Sequence, residues 1–330
     1  DMFELLAPGK GILQNELSKY LGKEIKLEIK KNDCISKSFF EETILVKDWK
    51  IANFKKKWGV KCRFHDFLDY SVLSSPVIEF HCSQKDIYDP ITGIASNTSQ
   101  LIVHAPEIVD RMLVDICSKD EFQVQKSISI LQDTINKTIK LSKNFKGKPK
   151  LVVHFGGMCL KPCSCCNIEK TQFEMFNTSI DNFKKLNYDP NEIEILPENL
   201  PPKPWYLGGE WNQYGFMTEK YMIDFCEKFD LKITYDVCHA KLYCNYMKKD
   251  IVEYTKKIKN YISHVHISDT KGINGEGVQI NEGDTNFLPI FKELKDLDFS
   301  WVTEIWAGHI NNGKGCYNSM KLLEPYKKLI

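Results

Sequence analysis

The 330-residue sequence contains no apolar run near the roughly 20 residues that a membrane helix needs, so no spanning helix is expected. Its opening, "DMFELLAPGKG", lacks the basic-then-apolar layout of a secretory signal. Charge of one sign is also lacking. The 45 basic and 44 acidic residues leave a net charge of +1, which argues against a strong nucleic-acid or membrane footprint, though a local basic face stays compatible with it. Neither an internal repeat nor a low-complexity tract is present. What remains is an ordinary globular composition, 42% hydrophobic and 27% charged, enough for a large core. The length suits one α/β barrel plus an appendage.

Cysteine, by contrast, is plentiful: there are twelve. They are scattered, and several, such as Cys62 and Cys226, sit inside apolar runs. Without an export signal they read as reduced thiols in a cytoplasm. In "MCLKPCSCC", Cys159, Cys163, Cys165 and Cys166 crowd together. Their spacing fits no pair of C-x2-C units, so a loop with free thiols is the reading and a metal or redox site the alternative.

From residue 60 onward, short β-rich runs alternate with longer helical stretches. The runs are "VKCRF" (60–64), "VIEF" (77–80), "LIVHA" (101–105), "LVVHF" (151–155), "IEIL" (193–196), "KITYD" (232–236), "ISHVHIS" (262–268) and "SWVTEI" (300–305). Helix-like segments, such as 121–144, 218–229 and 248–260, lie between them. This alternation predicts parallel strands joined by crossover helices, and near-continuous apolar strands predict burial on both faces. Eight units predict an α/β fold, a (β/α)8 TIM barrel. The first 48 residues break the rhythm. With one strand-like run, "KLEIK", and turn-rich surroundings, they read as a small β-rich N-terminal appendage, and 49–59 reads as a linker helix. The division is therefore 1–48 and 49–330.

Active sites of such barrels gather at the C-terminal strand ends. Strand three ends at His104, strand four at His154 (followed by Gly156-Gly157) and strand five at "PEN", which supplies Glu198. Strand six ends at Asp236 and leads to His239. Strand seven carries His266 and strand eight Glu304. A lone strand histidine is usually structural, but six consecutive strand ends each offering a metal-competent side chain point to a metal site. Ionised carboxylates near a barrel axis are costly unless paired or metal-bound.

"LIVHAP", "LVVHFGG", "LPEN", "YDVCHA", "HVHISD" and "VTEI", taken in order, resemble the xylose isomerase-like, endonuclease IV-like barrels, over roughly residues 60–310. In the sugar epimerases of that family one divalent ion is held by Glu, Asp, His and Glu. The resemblance implies Glu198, Asp236, His266 and Glu304 for that shell, and His104 with His154 for a second ion bridged by Glu198. The third ion of the endonuclease arrangement needs His239 plus an Asp-x-His after strand seven. Here that loop, "TKGINGEGVQINEGDTNF", contains no histidine. The N-terminal "APGKGILQNELSKYLGKEIKLEIKKNDCISKSFFE" resembles the later part of the antifreeze-like (SAF) domain of sialic acid synthases. It implies a partial SAF segment over 1–48, a longer polypeptide with a synthase-like barrel fused or associated, and a place in sialic or nonulosonic acid synthesis.

These features lead to the expectation of a divalent-metal-dependent sugar or amino-sugar isomerase or epimerase, acting on a free or phosphorylated sugar through an enediolate. A divalent ion chelating adjacent sugar oxygens polarises the carbonyl, and Glu198 and Glu304 are the candidate proton carriers. His239 is a candidate for a substrate oxygen. Lys271 is a candidate for a hydroxyl, carboxylate or phosphate, with a solvated loop lysine the equal alternative. Trp205, Tyr206 and Trp211 either stack on a sugar face, with Gly208-Gly209 as a hinge, or cap the rim. Several imidazoles favour Mn²⁺ or Zn²⁺, with Mg²⁺ and Co²⁺ compatible. His104 and His154 either bind a second ion, bind substrate or orient the ligands of the first ion. The competing readings are an endonuclease IV-like two-metal phosphodiesterase and a non-catalytic sugar-binding module. A small-molecule sugar is the expected partner, nucleic acid and membrane are not, and oligomerisation stays open.

Overall fold

The computed structural model describes residues 12, 14–26, 28–30, 35, 37–40, 44–90, 94, 97–160 and 168–330. Eight parallel strands form its centre: β1 (Lys57–Cys62), β2 (Val77–His81), β3 (Gln100–His104), β4 (Lys146–Val153), β5 (Glu194–Pro197), β6 (Ile233–Asp236), β7 (Ile262–Ile267) and β8 (Ser300–Thr303). Neighbours in sequence are neighbours in space, and β1 also pairs with β8 through Lys57↔Ser300 and Trp58↔Trp301. A single parallel bridge, Glu198↔Thr234, joins β5 to β6 and completes the ring. Asn199 reinforces this thin seam by imitating a ladder: its Oδ1 accepts the Asp236 N–H at 2.8 Å and its Nδ2 donates to the Asp236 carbonyl at 2.9 Å. All eight sequence-predicted strands are present, which makes the fold a (β/α)8 barrel.

Side chains on a strand alternate between faces. Ile78, Phe80, Leu101, Val103, Leu151 and Val153 point outward into the large core beneath the helices, while Val77, Ile102 and Val152 form a separate cluster inside the ring. Continuing the inward alternation up β2 gives Glu79 and His81, up β3 gives His104 and up β4 gives His154. The inward side chains therefore run from a mostly apolar layer, in which buried Lys150 donates to the Ser263 carbonyl, to ionisable groups at the mouth.

Helix starts follow side-chain capping. Asp120 accepts from the N–H groups of Phe122 and Gln123 and opens the helix Glu121–Ser142, whose buried residues Val124, Ile130, Leu131, Thr134, Ile135, Thr138 and Leu141 recur at three- and four-residue spacing. Thr218 and Asp250 cap Glu219–Phe229 and Ile251–Ile258 in the same way. Asp236 ends β6 and caps the helix Val237–Met247 at once, accepting the His239 N–H at 2.6 Å.

One expectation is corrected. Residues 49–59 are not a linker helix. The segment runs without regular structure into β1, with the Lys55 N–H donating to the carbonyls of Lys327 and Ile330. Trp49 packs on Tyr70 and Tyr317, and Phe54 meets the Trp301 ring edge-on at 4.9 Å. Helix-like apolar spacing here serves as a plug against the barrel. The described residues of 1–48 hold the 3-10 turns Gln14–Lys19, Lys37–Phe40 and Val46–Asp48 and no strand. The described part of "KLEIK" forms no strand, although the Lys26 N–H donates to the Phe39 carbonyl. The "PGK" turn and Cys163, Cys165 and Cys166 lie outside the described residues.

Short hairpins roof the mouth after β3 (Ile108–Val109 with Met112–Leu113), β5 (Trp205–Tyr206 with Gly209–Glu210) and β7 (Asp269–Lys271 with Gly275–Val278). The β4 loop is pinned beside them, with Met158–Cys159 paired antiparallel to Asn212–Gln213. Gly156 makes that loop feasible. It sits at φ 80°, and a Cβ there would lie 2.5 Å from Asp115.

Candidate metal centre at the barrel mouth

Glu198, Asp236, His266 and Glu304, from β5, β6, β7 and β8, each place one ligand atom within 4.8 Å of the others. His266 is the hub. Its Nδ1 lies 2.7 Å from Glu304 Oε2, 3.2 Å from Glu198 Oε1 and 3.9 Å from Asp236 Oδ2. Its Nε2 faces Glu79 Oε2 at 3.2 Å. A proton on Nε2 donated to Glu79 frees the Nδ1 lone pair for an ion, the usual carboxylate–histidine–metal arrangement. Glu304 Oε2 is buried and has no hydrogen-bond donor, although Nδ1 is close. Contact without hydrogen-bond alignment is what two ligands aimed at a third atom produce. The residues thus fit a divalent cation.

A second triad, His104, His154 and Glu198, adjoins the first. Glu198 Oε2 is 3.1 Å from His154 Nε2 and 3.4 Å from His104 Nε2. Glu198 therefore spans both groups, one oxygen to each.

The electrostatics are those of crowded acids. Burial alone would raise Glu198, but His266 and His154 hold its carboxyl well below the usual range. Glu304, partly buried, is held well below the usual range by Lys61, which is salt-bridged to its Oε1, and by His266. Asp236 has no such relief: burial, with Glu198 and Glu304 as like charges, pushes it up to about 7 against the pull of His239. Burial would depress His266, yet Glu79, Glu198 and Glu304 hold it well above its ordinary value. Lys61 and the imidazoles of His154, His239 and His266, each held above its ordinary value, balance the carboxylates of Glu79, Glu198, Asp236 and Glu304, and a divalent ion would take the place of the proton on the ligating His266 nitrogen.

The remaining sequence candidates fall in different places. His239 Nδ1 donates to the Asn199 carbonyl at 2.9 Å, and its Nε2 faces Glu276 Oε1 at 3.2 Å, so the imidazole lies beside the cluster under the β7 hairpin. Trp205 and Lys271 are exposed on their hairpins, and Trp211, half-buried, donates its indole N–H to the Tyr206 carbonyl at 2.9 Å. Trp211 thereby holds its own loop. Leu207 (φ 52°) and Gly208 (φ 81°) form the two-residue turn of the β5 hairpin, and the hairpin brings the Tyr206 hydroxyl within 3.4 Å of His154 Nδ1. Glu198 and Glu304 are not the only rim glutamates, because Glu107 and Glu276 also reach it.

Sequence reasoning missed Lys61, Glu79, His81, Glu107, Asn199, His264 and Glu276. The first three sit on β1 and β2, the two strands from which no candidate was drawn: Lys61 and Glu79 lie below the strand ends and His81 is the last residue of β2. The same every-second-residue pattern in those two strands would have supplied them. Glu79 also accepts from His264 Nε2 at 2.8 Å, while His264 Nδ1 meets Ser300 Oγ at 2.8 Å.

Known proteins agree with this architecture. An uncharacterized protein of Methanocaldococcus jannaschii, MJ1311, is 28% identical over 141 residues, which is 42% of this chain and 44% of that protein, so the chain spans under half of that relative's length. Among solved structures, a D-tagatose 3-epimerase-like protein superposes with TM-score 0.55 at 19% identity, over 82% of this chain and 96% of that one. A Thermus thermophilus protein, TTHB071, solved after soaking with ZnCl2, gives TM-score 0.56 at 11% identity, over 82% and 98%. These likenesses establish the fold. The family described as "Xylose isomerase-like TIM barrel" matches residues 91–326, most of the chain, and the chain belongs to that family.

Proposed function

We propose that the protein is a divalent-metal-dependent sugar or amino-sugar isomerase or epimerase, with Glu198, Asp236, His266 and Glu304 as the metal shell. The convergence of these four side chains from four successive strands within 4.8 Å carries the reading. A D-tagatose 3-epimerase-like protein among the structural neighbours is consistent with it. Mn²⁺ or Zn²⁺ suits a shell of three carboxylates and one imidazole, with Mg²⁺ and Co²⁺ compatible.

When bound, the ion would polarise a sugar carbonyl and stabilise the enediolate. The chain's own residues do the rest. Glu198, from β5, and Glu304, from β8 beside the His266 strand, both reach His266 Nδ1 and stay ionised, so either can take the proton from the carbon beside the carbonyl. The same or the other carboxyl returns it to the adjacent carbon or to the opposite face. Lys61 holds one Glu304 oxygen and leaves Oε2 free to act. Asn199 fixes Asp236, and Glu79 fixes the His266 ring. His239, Lys271, Trp205 and Trp211 remain candidates for gripping the substrate. Residues 1–48 are proposed to be part of an SAF domain serving sialic or nonulosonic acid synthesis. Cys62, Cys82, Cys117, Cys226, Cys238, Cys244 and Cys316 are free thiols, which supports a reducing, cytoplasmic setting.

The test is deuterium incorporation from heavy water into candidate ketoses and amino sugars, with added Mn²⁺ or Zn²⁺. Wild type exchanges; Glu198→Gln and Glu304→Gln lose exchange by about 10²-fold or more. Exchange at the wild-type rate in either variant removes that residue from the chemistry. The His104–His154–Glu198 triad favours one second reading, a two-metal phosphodiesterase. Its third ion would need an Asp-x-His near His239, where Glu276 stands instead. Metal-dependent incision of a labelled abasic duplex that disappears in Glu198→Gln would promote that reading.

A further inference from the structure

A separate group of donors stands at the outer edge of the mouth. His81 ends β2, His104 ends β3 and Glu107 follows shortly after, and one ligand atom from each lies within 4.8 Å of the others. The group shares no residue with the four-ligand shell. The His81 and His104 rings stack at 4.3 Å and 23°. His104 Nδ1 is 2.9 Å from the Ala105 carbonyl and donates to it, which leaves the Nε2 lone pair free. Glu107 Oε1 is 3.6 Å from His81 Nε2 and 3.7 Å from His154 Nδ1. Both gaps are too long for hydrogen bonds. They approach the roughly 3.3–3.5 Å edge of a tetrahedron built from zinc–ligand bonds of about 2.0–2.1 Å. His81 and Glu107 side chains are 20% and 23% exposed, so an ion can reach them from solvent. Lys61, whose charge reaches both residues, is already paired with Glu304.

We propose that His81, His104 and Glu107 form a second divalent-cation site at the outer edge of the barrel mouth, with His154 Nδ1 available as a fourth ligand. Two or three imidazoles and one carboxylate suit Zn²⁺ better than Mg²⁺. The site competes for His104 with the inner triad, because His104 Nε2 also lies 3.4 Å from Glu198 Oε2. Outer and inner placements of a second ion are therefore alternatives, and their ligands differ enough to separate them.

The experiment is Zn²⁺ titration of the full chain after chelator treatment, with ions per chain counted by elemental analysis and affinity by calorimetry. Wild type is expected to bind two ions. His81→Ala and Glu107→Gln are expected to bind one ion normally and the other at least tenfold more weakly, with unchanged circular dichroism. Asp236→Ala is expected to keep the ion that His81→Ala loses. The proposal is overturned if both His81→Ala and Glu107→Gln bind as wild type does, whether wild type takes one ion, two or none. It is equally overturned if the second ion is lost in Glu198→Gln but kept in Glu107→Gln, which places it in the inner triad. Failure of the four-ligand shell shows separately, as unchanged binding in Asp236→Ala. Glu107→Gln, at a partly exposed position, guards against misfolding of His81→Ala.

Discussion

His264 and Glu79 lie on the barrel axis directly beneath the candidate shell, and their protonation is set by where they are. Burial pushes His264 down to about 4, while Glu79 and Ser300 hydrogen-bond the neutral ring. Glu79 is itself held well below the usual carboxylate range, because His266 and His264 outweigh its burial. Both groups have depressed folded-state values. The stability each contributes is full above its unfolded value and is lost as pH falls through the folded one. For His264 the window runs from about 6.5 down to about 4, a loss on the order of 3 kcal/mol. Urea unfolding across that window should show this loss in wild type and a shallower one in His264→Gln. Equal slopes would mean that His264 does not carry the acid sensitivity.

Among the elements, the β5–β6 seam is the weakest join of the ring, with its single backbone bridge and the side chain of Asn199. Asn199→Ala strands a buried N–H at Asp236, costing about 1–3 kcal/mol, and removes one of the donors to the Asp236 carbonyl, which as an N-cap also accepts from its helix. A destabilisation of about 1–3 kcal/mol is expected, together with weaker Zn²⁺ or Mn²⁺ binding, because Asp236 loses its anchor. Chemical denaturation and calorimetry check both effects, and stability within about 0.5 kcal/mol of wild type would show that the seam does not depend on Asn199. The eight strands were legible because doubly buried strands read as apolar runs, and their polar ends at His104, Asp236 and Glu304 interrupt that pattern visibly. The rim hairpins were not legible. "WYLGGE" reads as a hinge, but its fold is a two-residue turn whose backbone alone decides the outcome. Glu107 and Glu276 reach the site only through such turns, and no local periodicity announces them; Tyr206, a candidate for a sugar face, brings its hydroxyl toward His154 Nδ1. The apolar spacing of 49–59 misled for the opposite reason, since Trp49 and Phe54 face the barrel from a chain that never becomes helical.

At the scale of the molecule, a net charge of +1 conceals a centre crowded with carboxylates and imidazoles. Lysines spread over the outer helices balance carboxylates, five of which (Glu79, Glu107, Glu198, Asp236 and Glu304) converge on one end of the barrel. Their ring order matches the order of the motifs in sequence, so a parallel barrel converts spacing along the chain into proximity at the mouth. No helix among the described residues is long and apolar enough to cross a membrane. The central claim is that this mouth holds a divalent ion through Glu198, Asp236, His266 and Glu304. Elemental analysis of the purified protein tests it without knowledge of the substrate. Wild type should carry at least one divalent ion per chain, and Asp236→Ala and His266→Ala should each lose an ion while keeping the wild-type circular dichroism spectrum. Full wild-type occupancy in both variants would contradict the account.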